Sequence, residues 1–134
     1  GYPGIPQISF KRLPETKFSI GAIEIEPLKM WHAQLAVTAF RFGNLAYLTD
    51  VNRIPDEELP KLKDLEVLII NALRQEPHHS HFTLQEVVAI GDQLEVPKLF
   101  ATHISHLMGQ HKEVSNKLPS GRYLAYDGLK MSLD

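Results

Sequence analysis

The chain has 134 residues, a formal net charge of −2 with its histidines neutral, 43% hydrophobic residues and no cysteine. This length and composition allow one domain with a substantial core, and the near-neutral charge excludes a general basic field that would hold nucleic acid. The absence of cysteine excludes disulfides and thiolate metal ligands and suits a reducing cytoplasm. No membrane span is expected, because apolar runs such as residues 67–70 are too short to cross a bilayer.

The first residues are expected to form an irregular arm. Residues 1–17 contain several prolines and early glycines, which disfavour a regular helix or strand. We therefore divide the chain into an arm over residues 1–17 and a single domain over residues 18–134. Residues 18–25 then have the composition of a strand.

A β-hairpin is predicted in the first half of the domain. Residues 37–42 and 45–49 are β-rich runs separated by Gly43-Asn44, a two-residue turn in which Gly can take a positive φ. The hairpin ends at Asp50. Residues 54–59 favour a short helical turn, since Pro suits a first helical position and acidic residues suit the positive end of the helix dipole.

A strand and a helix are predicted next. Residues 67–70 have the length and branching of a buried strand. Thr83 and Glu86 have the spacing of a capping box, and apolar residues repeat at helical spacing behind them, so a helix begins just after His81.

The C-terminal part completes an α/β pattern. Residues 98–101 predict a short strand that stops before His103, and residues 123–126 and 129–133 flank Asp127-Gly128 as a terminal hairpin. Several strands, a strand-helix-strand unit and a hairpin together predict an α/β fold with a mixed sheet.

Three polar side chains lie beside predicted strand ends or turns, namely His32, Asp50 and His103. Imidazole and carboxylate groups that converge from separate strands are ligands for zinc, manganese or iron, and open α/β sheets present functional side chains at strand C-termini. Metal-assisted hydrolysis is the first hypothesis. Taken alone, a strand-terminal Asp is more often a turn former or helix cap, and a His beside a Trp is usually a packed, hydrogen-bonded residue.

Residues 77–81 contain three histidines and fit a metal-binding tract, a solvated loop, or the source of one general acid or base. His79 and His81 have the spacing of paired ligands, but no acidic residue follows. We select His81, because the adjoining helix start lowers an imidazole pKa and attracts anionic substrates. A second pair, His103 and His106, shares one face only if a helix begins there.

Several motifs occur in a characteristic order, namely Leu45-Ala-Tyr-Leu-Thr-Asp50, His81-Phe-Thr-Leu-Gln-Glu-Val87, Thr102-His-Ile-Ser-His106 and Leu118-Pro-Ser-Gly121 followed by Tyr126-Asp-Gly-Leu129. Together, from about residue 18 to the end, they resemble the C-terminal half of a metallo-β-lactamase-fold hydrolase. The phosphonate-metabolism cyclic phosphodiesterases are the nearest branch, with ribonuclease Z more distant.

This resemblance implies a four-layer αββα sandwich of two similar halves, in which the chain forms the C-terminal half with a mixed sheet and flanking helices. A two-metal site would lie in the cleft along its edge. His32 and His103 would match metal ligands, and Asp50 would match the carboxylate that bridges the metals. His81 would match the histidine that protonates the leaving alkoxide or steadies a phosphate oxygen, and His106 would face the substrate or support a ligand.

The family's His-x-His-x-Asp-His motif, which supplies the other ligands, occurs nowhere in this sequence. We therefore expect a truncated copy or an isolated C-terminal portion that holds half a site, binds metal weakly or partially and is inactive alone. The complete enzyme would hydrolyse small phosphodiesters with water activated by two divalent ions, Zn, Mn or Fe.

Two alternatives remain open. A non-catalytic module would use the exposed face of the half-domain to bind a partner or a second copy of itself, and homo-oligomerisation is expected on the same ground. Ribonuclease Z-like RNA processing would require a basic arm, which this sequence does not show. We therefore rank RNA below a small phosphodiester as the substrate.

Overall fold

A computed structural model of the chain describes residues 4–133. Its main feature is a seven-stranded sheet whose strands lie side by side in chain order. The strands are β1 (Phe18–Ile20), β2 (Ile23–His32), β3 (Leu35–Phe42), β4 (Leu45–Leu48), β5 (Val67–Asn71), β6 (Lys98–Thr102) and β7 (Arg122–Leu124). The helices are α1 (Leu84–Gln93) and α2 (His111–Lys117), with 3-10 helices at Asp56–Leu62 and His106–Met108.

The sheet is mixed. Strands β1 to β4 pair antiparallel, whereas β4 to β7 pair parallel. The parallel part requires crossover connections, and α1 supplies the crossover between β5 and β6. The α/β fold with a mixed sheet and flanking helices is therefore confirmed.

The predicted strand over residues 18–25 is wrong as a single element. The chain turns back at Gly21, whose φ of 59° is in the left-handed region, and Ile20 pairs with Ile23 across the turn. Glycine adopts this conformation without the steric cost that a Cβ imposes. Two antiparallel strands, β1 and β2, result, and β2 runs on as far as His32.

The predicted hairpin around Gly43-Asn44 is confirmed. Phe42 pairs with Leu45, and Gly43 has a φ of 54°. The predicted helical turn after it is also present, as the 3-10 helix Asp56–Leu62. Arg41 on β3 ties this helix to the hairpin by donating to the backbone carbonyl of Lys61 at 2.6 Å.

The predicted C-terminal hairpin is wrong. Strand β7 pairs with β6 in parallel, and residues 125–133 form no strand in the part of the chain that the structure describes. A tight turn does form, because the Leu129 amide donates to the Tyr126 carbonyl at 3.1 Å, but the chain beyond it does not return along β7. Helix α2 was not predicted, since none of its residues is buried and its sequence carries no apolar stripe.

The core lies between the sheet and α1. Buried apolar side chains come from the central strands and from one face of the helix, and the largest fully buried ones include Leu28, Met30, Leu48, Leu68, Ile70, Val87 and Leu99. Helix α1 packs close to β6 because Gly91 faces it: a Cβ at Gly91 would lie 2.6 Å from Cδ1 of Leu99.

Residues 5–17 form neither helix nor strand. The boundary that we placed at residue 17 stays a prediction. Among residues 4–133, no helix has both the length and the apolar character needed to cross a lipid bilayer.

Candidate active site

Asp50 and His103 meet at one edge of the sheet. Asp50 lies two residues beyond β4, and His103 follows β6 directly. Because both strands run parallel to β5, which lies between them, their C-terminal ends open on the same edge. Nδ1 of His103 lies 2.5 Å from Oδ1 of Asp50, in a charge-assisted hydrogen bond between partly exposed side chains.

The backbone of His103 is in the left-handed region, with a φ of 54°. This conformation costs a non-glycine residue about 1–3 kcal/mol and persists only where the surroundings enforce it. Here β6 ends at Thr102, and the chain turns sharply after it, which directs the imidazole to Asp50. The strained backbone conformation of His103 therefore occurs together with the placement of its imidazole beside Asp50.

Asn71, at the end of β5, holds the loop that carries Asp50. The side chain of Asn71 is fully buried. Its Oδ1 accepts from the backbone N–H of Val51 at 2.6 Å, and its Nδ2 donates to the backbone carbonyl of Val51 at 2.8 Å. Both backbone polar groups of Val51 are thereby satisfied in a site without solvent. The position next to Asp50 is fixed from the neighbouring strand.

His81 and His32 extend the pair to four side chains. Nε2 of His81 lies 3.6 Å from Oδ1 of Asp50, and the ring centroids of His81 and His32 are 4.7 Å apart in an edge-to-face arrangement. His32, His81, Asp50 and His103 therefore form one continuous series. The sequence placed His32 before a hairpin; the structure makes it the last residue of β2, paired with Leu35.

The loop before α1 gives His81 further polar partners. Oγ of Ser80 lies 3.0 Å from Nδ1 of His81 and 3.2 Å from Nδ1 of His78, and the two Nδ1 atoms are 3.4 Å apart. The predicted capping box is confirmed: Thr83 accepts from the Glu86 amide, and the Glu86 carboxylate accepts from the Thr83 amide. Helix α1 begins at Leu84, so His81 lies two residues before the Thr83 cap.

The environment lowers the pKa of two of these histidines below the ordinary value of 6.5. For His81, partial burial is the main cause, reinforced by the charge of His32 and opposed by the carboxylate of Asp50. For His78, desolvation again comes first, followed by the charges of His79 and Arg74. Both imidazoles therefore favour the neutral form.

The side chains of His32, Asp50 and His103 could form part of a divalent metal site. Imidazole and carboxylate are the correct ligand types, and Nδ1 of His32 is buried with no hydrogen-bond partner, which leaves a donor atom available. Among residues 4–133, however, no three His, Asp or Glu side chains already form a group that could enclose an ion. Oδ1 of Asp50 is instead engaged by His103. The roles of His32, Asp50 and His103 as metal ligands stay a prediction.

His106 lies apart from this series. It is exposed and begins the 3-10 helix His106–Met108, whose cap is Ser105. Because His103 is left-handed, no helical turn joins His103 to His106, and the two do not share a helical face. The proposed role of His106 near the substrate stays a prediction.

The sequence did not identify two asparagines that support the site. Besides Asn71, Asn52 links three segments: its Oδ1 accepts from the Ala33 amide at 2.8 Å, and its Nδ2 donates to the His79 carbonyl at 3.0 Å. It thus joins the turn after His32 to the histidine loop. A polar residue at the end of an otherwise apolar strand was the only signal for Asn71.

A cavity of about 380 Å³ opens beside His103 and was also not predicted. His111 of α2 and Tyr126 line it, with ring centroids 6.2 Å apart in an edge-to-face arrangement. Nε2 of His111 donates to the Ala125 carbonyl at 3.3 Å. An aromatic and polar recess therefore adjoins the Asp50–His103 pair.

Known proteins share this fold. A diphosphatase from the PhnP family, known from a crystal structure, is 35% identical and superposes with a TM-score of 0.90 over 96% of this chain and 50% of its own. The metallo-beta-lactamase fold protein YhfI from Bacillus subtilis is 21% identical, with a TM-score of 0.70 over 91% of this chain and 54% of its own. The short form of human tRNase Z is 15% identical, with a TM-score of 0.65 over 90% and 48% of the respective chains.

At their level of identity, the last two structures show the fold alone. Among curated proteins, an octanoyltransferase of Porphyromonas gingivalis (strain ATCC BAA-308 / W83) is 33% identical over 135 residues, which is 99% of this chain and 27% of that protein. The chain thus spans about half the length of the solved relatives and about a quarter of the curated one. The sequence profile of the beta-lactamase superfamily domain matches residues 6–104. The chain therefore belongs to the beta-lactamase superfamily domain family, a hydrolase family with the metallo-β-lactamase fold.

Proposed function

We propose that the chain supplies one half of a dinuclear metal site that hydrolyses a small phosphodiester or diphosphate. The observation that carries the proposal is the contact of His103 and His81 with the same oxygen of Asp50, at 2.5 Å and 3.6 Å. Two divalent cations, when bound, would polarise a phosphorus–oxygen bond and offset the charge that develops on it. His32, Asp50 and His103 are the residues that would hold them.

In this proposal, His81 handles a proton at the leaving oxygen. Its Nε2 is directed at the carboxylate of Asp50, and its ring contacts His32, so it lies among the proposed ligands. General acids work within hydrogen-bond reach of the group they protonate, and a phosphate oxygen bound beside the Asp50 carboxylate would lie close to Nε2 of His81. The chain's net charge of −2 favours a small substrate over a long polyanion.

The name of the 35% identical diphosphatase supports a phosphorus-containing substrate. The name of the octanoyltransferase is not carried over to this chain, because the match covers 27% of that protein. Zn, Mn and Fe all suit the proposed ligands. In this proposal, the remaining ligands come from a segment outside residues 4–133, among which no three His, Asp or Glu side chains already surround an ion site.

The test is calorimetric titration of the chain with Zn²⁺ and Mn²⁺, combined with hydrolysis of a small aryl phosphodiester. We expect weak metal binding that falls at least about tenfold in Asp50→Asn, and no turnover unless a segment with the His-x-His-x-Asp-His motif is supplied. Asp64→Asn, which makes the same change at an exposed position before the N-terminal end of β5, is the matched control and should bind metal like the wild type. Equal affinity of the wild type and Asp50→Asn would contradict the proposal.

A second candidate function is association. Large apolar side chains are exposed along the arm and at the turns on either side of β2, namely Ile5, Ile8, Phe10, Ile20, Ile23 and Leu35. Strand β1 is also an edge strand of the sheet. We propose that a second copy of this chain covers this surface. Sedimentation equilibrium would show a dimer that Ile20→Glu dissociates, whereas a wild-type monomer would contradict this proposal.

A further inference from the structure

We propose that Asn52 is a positioning residue that holds His81 beside Asp50. Its side-chain amide attaches the loop that carries His81 to the segments that carry the other residues of the candidate site. We call this loop, residues 75–82, the histidine loop. The chemical role of His81 rests on the proposed function, whereas its placement by Asn52 depends on hydrogen bonds that involve no metal and no substrate.

The histidine loop is closed at its base. Arg74 and Thr83, which flank the loop, form an isolated parallel bridge. The Leu73 amide donates to the Phe82 carbonyl at 3.1 Å, and the Leu84 amide donates to the Arg74 carbonyl at 3.1 Å. The loop therefore leaves the fold and returns to it at one place, and these bonds leave the position of its tip undetermined.

The tip of the loop has one hydrogen bond to a distant segment. The guanidinium of Arg74 donates to the carbonyls of Glu76 and Pro77 at 3.2 and 2.7 Å, which shapes the loop around its own base. Apart from these two bonds, residues 76–81 form one hydrogen bond with the rest of residues 4–133, in which Nδ2 of Asn52 donates to the His79 carbonyl at 3.0 Å. This bond therefore sets where the tip lies.

The orientation of the Asn52 amide follows from its two partners. Its Oδ1 accepts from the Ala33 amide at 2.8 Å, while its Nδ2 faces the His79 carbonyl. A backbone N–H only donates and a carbonyl only accepts, so exchanging the two side-chain atoms would break both bonds. The backbone of Asn52 is held as well, because its amide donates to the Trp31 carbonyl at 2.9 Å. A fixed side chain thus joins the end of β2 to the histidine loop.

The contact with Ala33 reaches the turn beside His32. His32 pairs with Leu35 across this two-residue turn, and Ala33 has a φ of 53°, in the left-handed region. A residue other than glycine keeps this conformation only where its surroundings enforce it, and the bond from the Ala33 amide to Asn52 supplies such a restraint. Asn52 therefore also fixes the backbone next to His32.

Three of the four residues of the candidate site are thus arranged around one amide. Asp50 lies two residues before Asn52, and His32 and His81 each lie within two residues of one of its side-chain partners. The direct contacts of His81 are longer. Its Nε2 faces Oδ1 of Asp50 at 3.6 Å, beyond ordinary hydrogen-bond distance, and its ring meets that of His32 edge to face, with centroids 4.7 Å apart. The 3.0 Å bond from Asn52 is therefore the shortest polar link between the tip of the loop and the site.

The nuclear Overhauser effect between the ring protons of His32 and His81 tests this placement, because the two rings are in edge-to-face contact. The full chain, freed of metal with a chelator, is measured at about pH 8, where an ordinary imidazole is neutral. We expect the effect in the wild type and its loss in Asn52→Ala, in which the Ala33 amide should also exchange about fivefold faster. Unchanged amide signals from β5 and β6 would show that the variant is folded.

Asn52→Asp separates the two side-chain bonds. Its carboxylate still accepts from the Ala33 amide but cannot donate to the histidine loop. We expect the Ala33 amide to exchange no faster than in the wild type, and the effect between His32 and His81 to be lost. Asn116→Ala, at an exposed position in α2, is the matched control and should change neither signal.

Two results would overturn the proposal. One is an effect of wild-type intensity between His32 and His81 in Asn52→Asp, and the other is its absence from the wild type. Asn52→Asp decides the case if Asn52→Ala does not fold, because it retains the bond to Ala33.

The same spectra separate the role of Asn52 from the proposed function. A chain that binds no metal and hydrolyses nothing, but loses the contact of His32 with His81 in Asn52→Asp, would refute the hydrolase proposal and leave the role of Asn52 standing. A chain whose metal affinity falls in Asp50→Asn, but whose two rings stay in contact in both Asn52 variants, would refute only the role of Asn52.

Discussion

The carboxylate of Asp50 and the imidazole of His103, which are 53 residues apart in the chain, lie 2.5 Å from each other at the C-terminal edge of the sheet. Neither residue lies within a strand, yet the parallel pairing of β4, β5 and β6 brings their loops together. The contact is therefore a property of the sheet topology, and conditions that disturb the ends of these strands should disturb the site.

Asn71→Ala should destabilise the chain by about 3 kcal/mol, because both backbone groups of Val51 would remain buried without partners. Urea denaturation measures the free energy of unfolding. Asn71→Asp keeps the acceptor but places a buried carboxylate oxygen against the Val51 carbonyl, so it should destabilise the chain at least as much as Asn71→Ala. A loss of less than about 0.5 kcal/mol in Asn71→Ala would show that this clamp does not hold the loop.

Thr83→Ala should destabilise the chain by about 1 kcal/mol, since it removes the side-chain half of the capping box of α1. The same urea experiment applies. Thr83→Ser retains the hydroxyl and should recover most of the loss, while Gln93→Ala, at an exposed position in the same helix, should stay within about 0.5 kcal/mol of the wild type.

Gly91→Ala should cost about 1–3 kcal/mol, although alanine is the better helix former. The new Cβ would lie 2.6 Å from Cδ1 of Leu99, so α1 must move away from β6 or the leucine must leave its rotamer. Thermal unfolding of Gly91→Ala beside Ala89→Gly, at an exposed helix position, separates packing from helix propensity. A higher melting temperature in Gly91→Ala would contradict close packing at this point.

The metal-free chain should lose stability as the pH falls below about 6.5. The pKa values of His78 and His81 are lowered in the folded state, so the unfolded chain binds more protons in the window between the lowered values and 6.5. The stabilisation is complete above 6.5 and is lost as the pH falls through that window. Urea denaturation at several pH values gives the free energy of unfolding as a function of pH. Between the lowered pKa values and 6.5, this free energy should change less steeply with pH in His81→Gln than in the wild type. Identical slopes would mean that His81 is not the titrating group.

Local patterns predicted part of the fold well. Gly43-Asn44 identified the hairpin, and Thr83 with Glu86 identified the start of α1, because turn and cap chemistry depend on a few adjacent residues. The split of residues 18–25 into two strands was missed, although Gly21 was its signal. The terminal hairpin around Asp127-Gly128 was wrong because a turn alone does not determine which strand the chain will pair with.

The site was predictable to a similar degree. Strand ends pointed to Asp50 and His103, and the structure brings them into contact. Asn52 and the cavity beside Tyr126 were not predicted, because their contacts join segments that are distant in sequence and depend on the folded arrangement. The contact between Ser80 and His81 was not predicted either, because nothing in the sequence indicated that the Ser80 hydroxyl would lie against the His81 ring.

Paramagnetic broadening of histidine side-chain resonances by Mn²⁺ tests the central claim most directly. The account predicts that small additions of Mn²⁺ to the labelled chain broaden His32, His81 and His103 first, and that Asp50→Asn abolishes this selectivity. Broadening centred on His79 or His106, or equal broadening of all histidines in the wild type and in Asp50→Asn, would contradict a metal site built on Asp50.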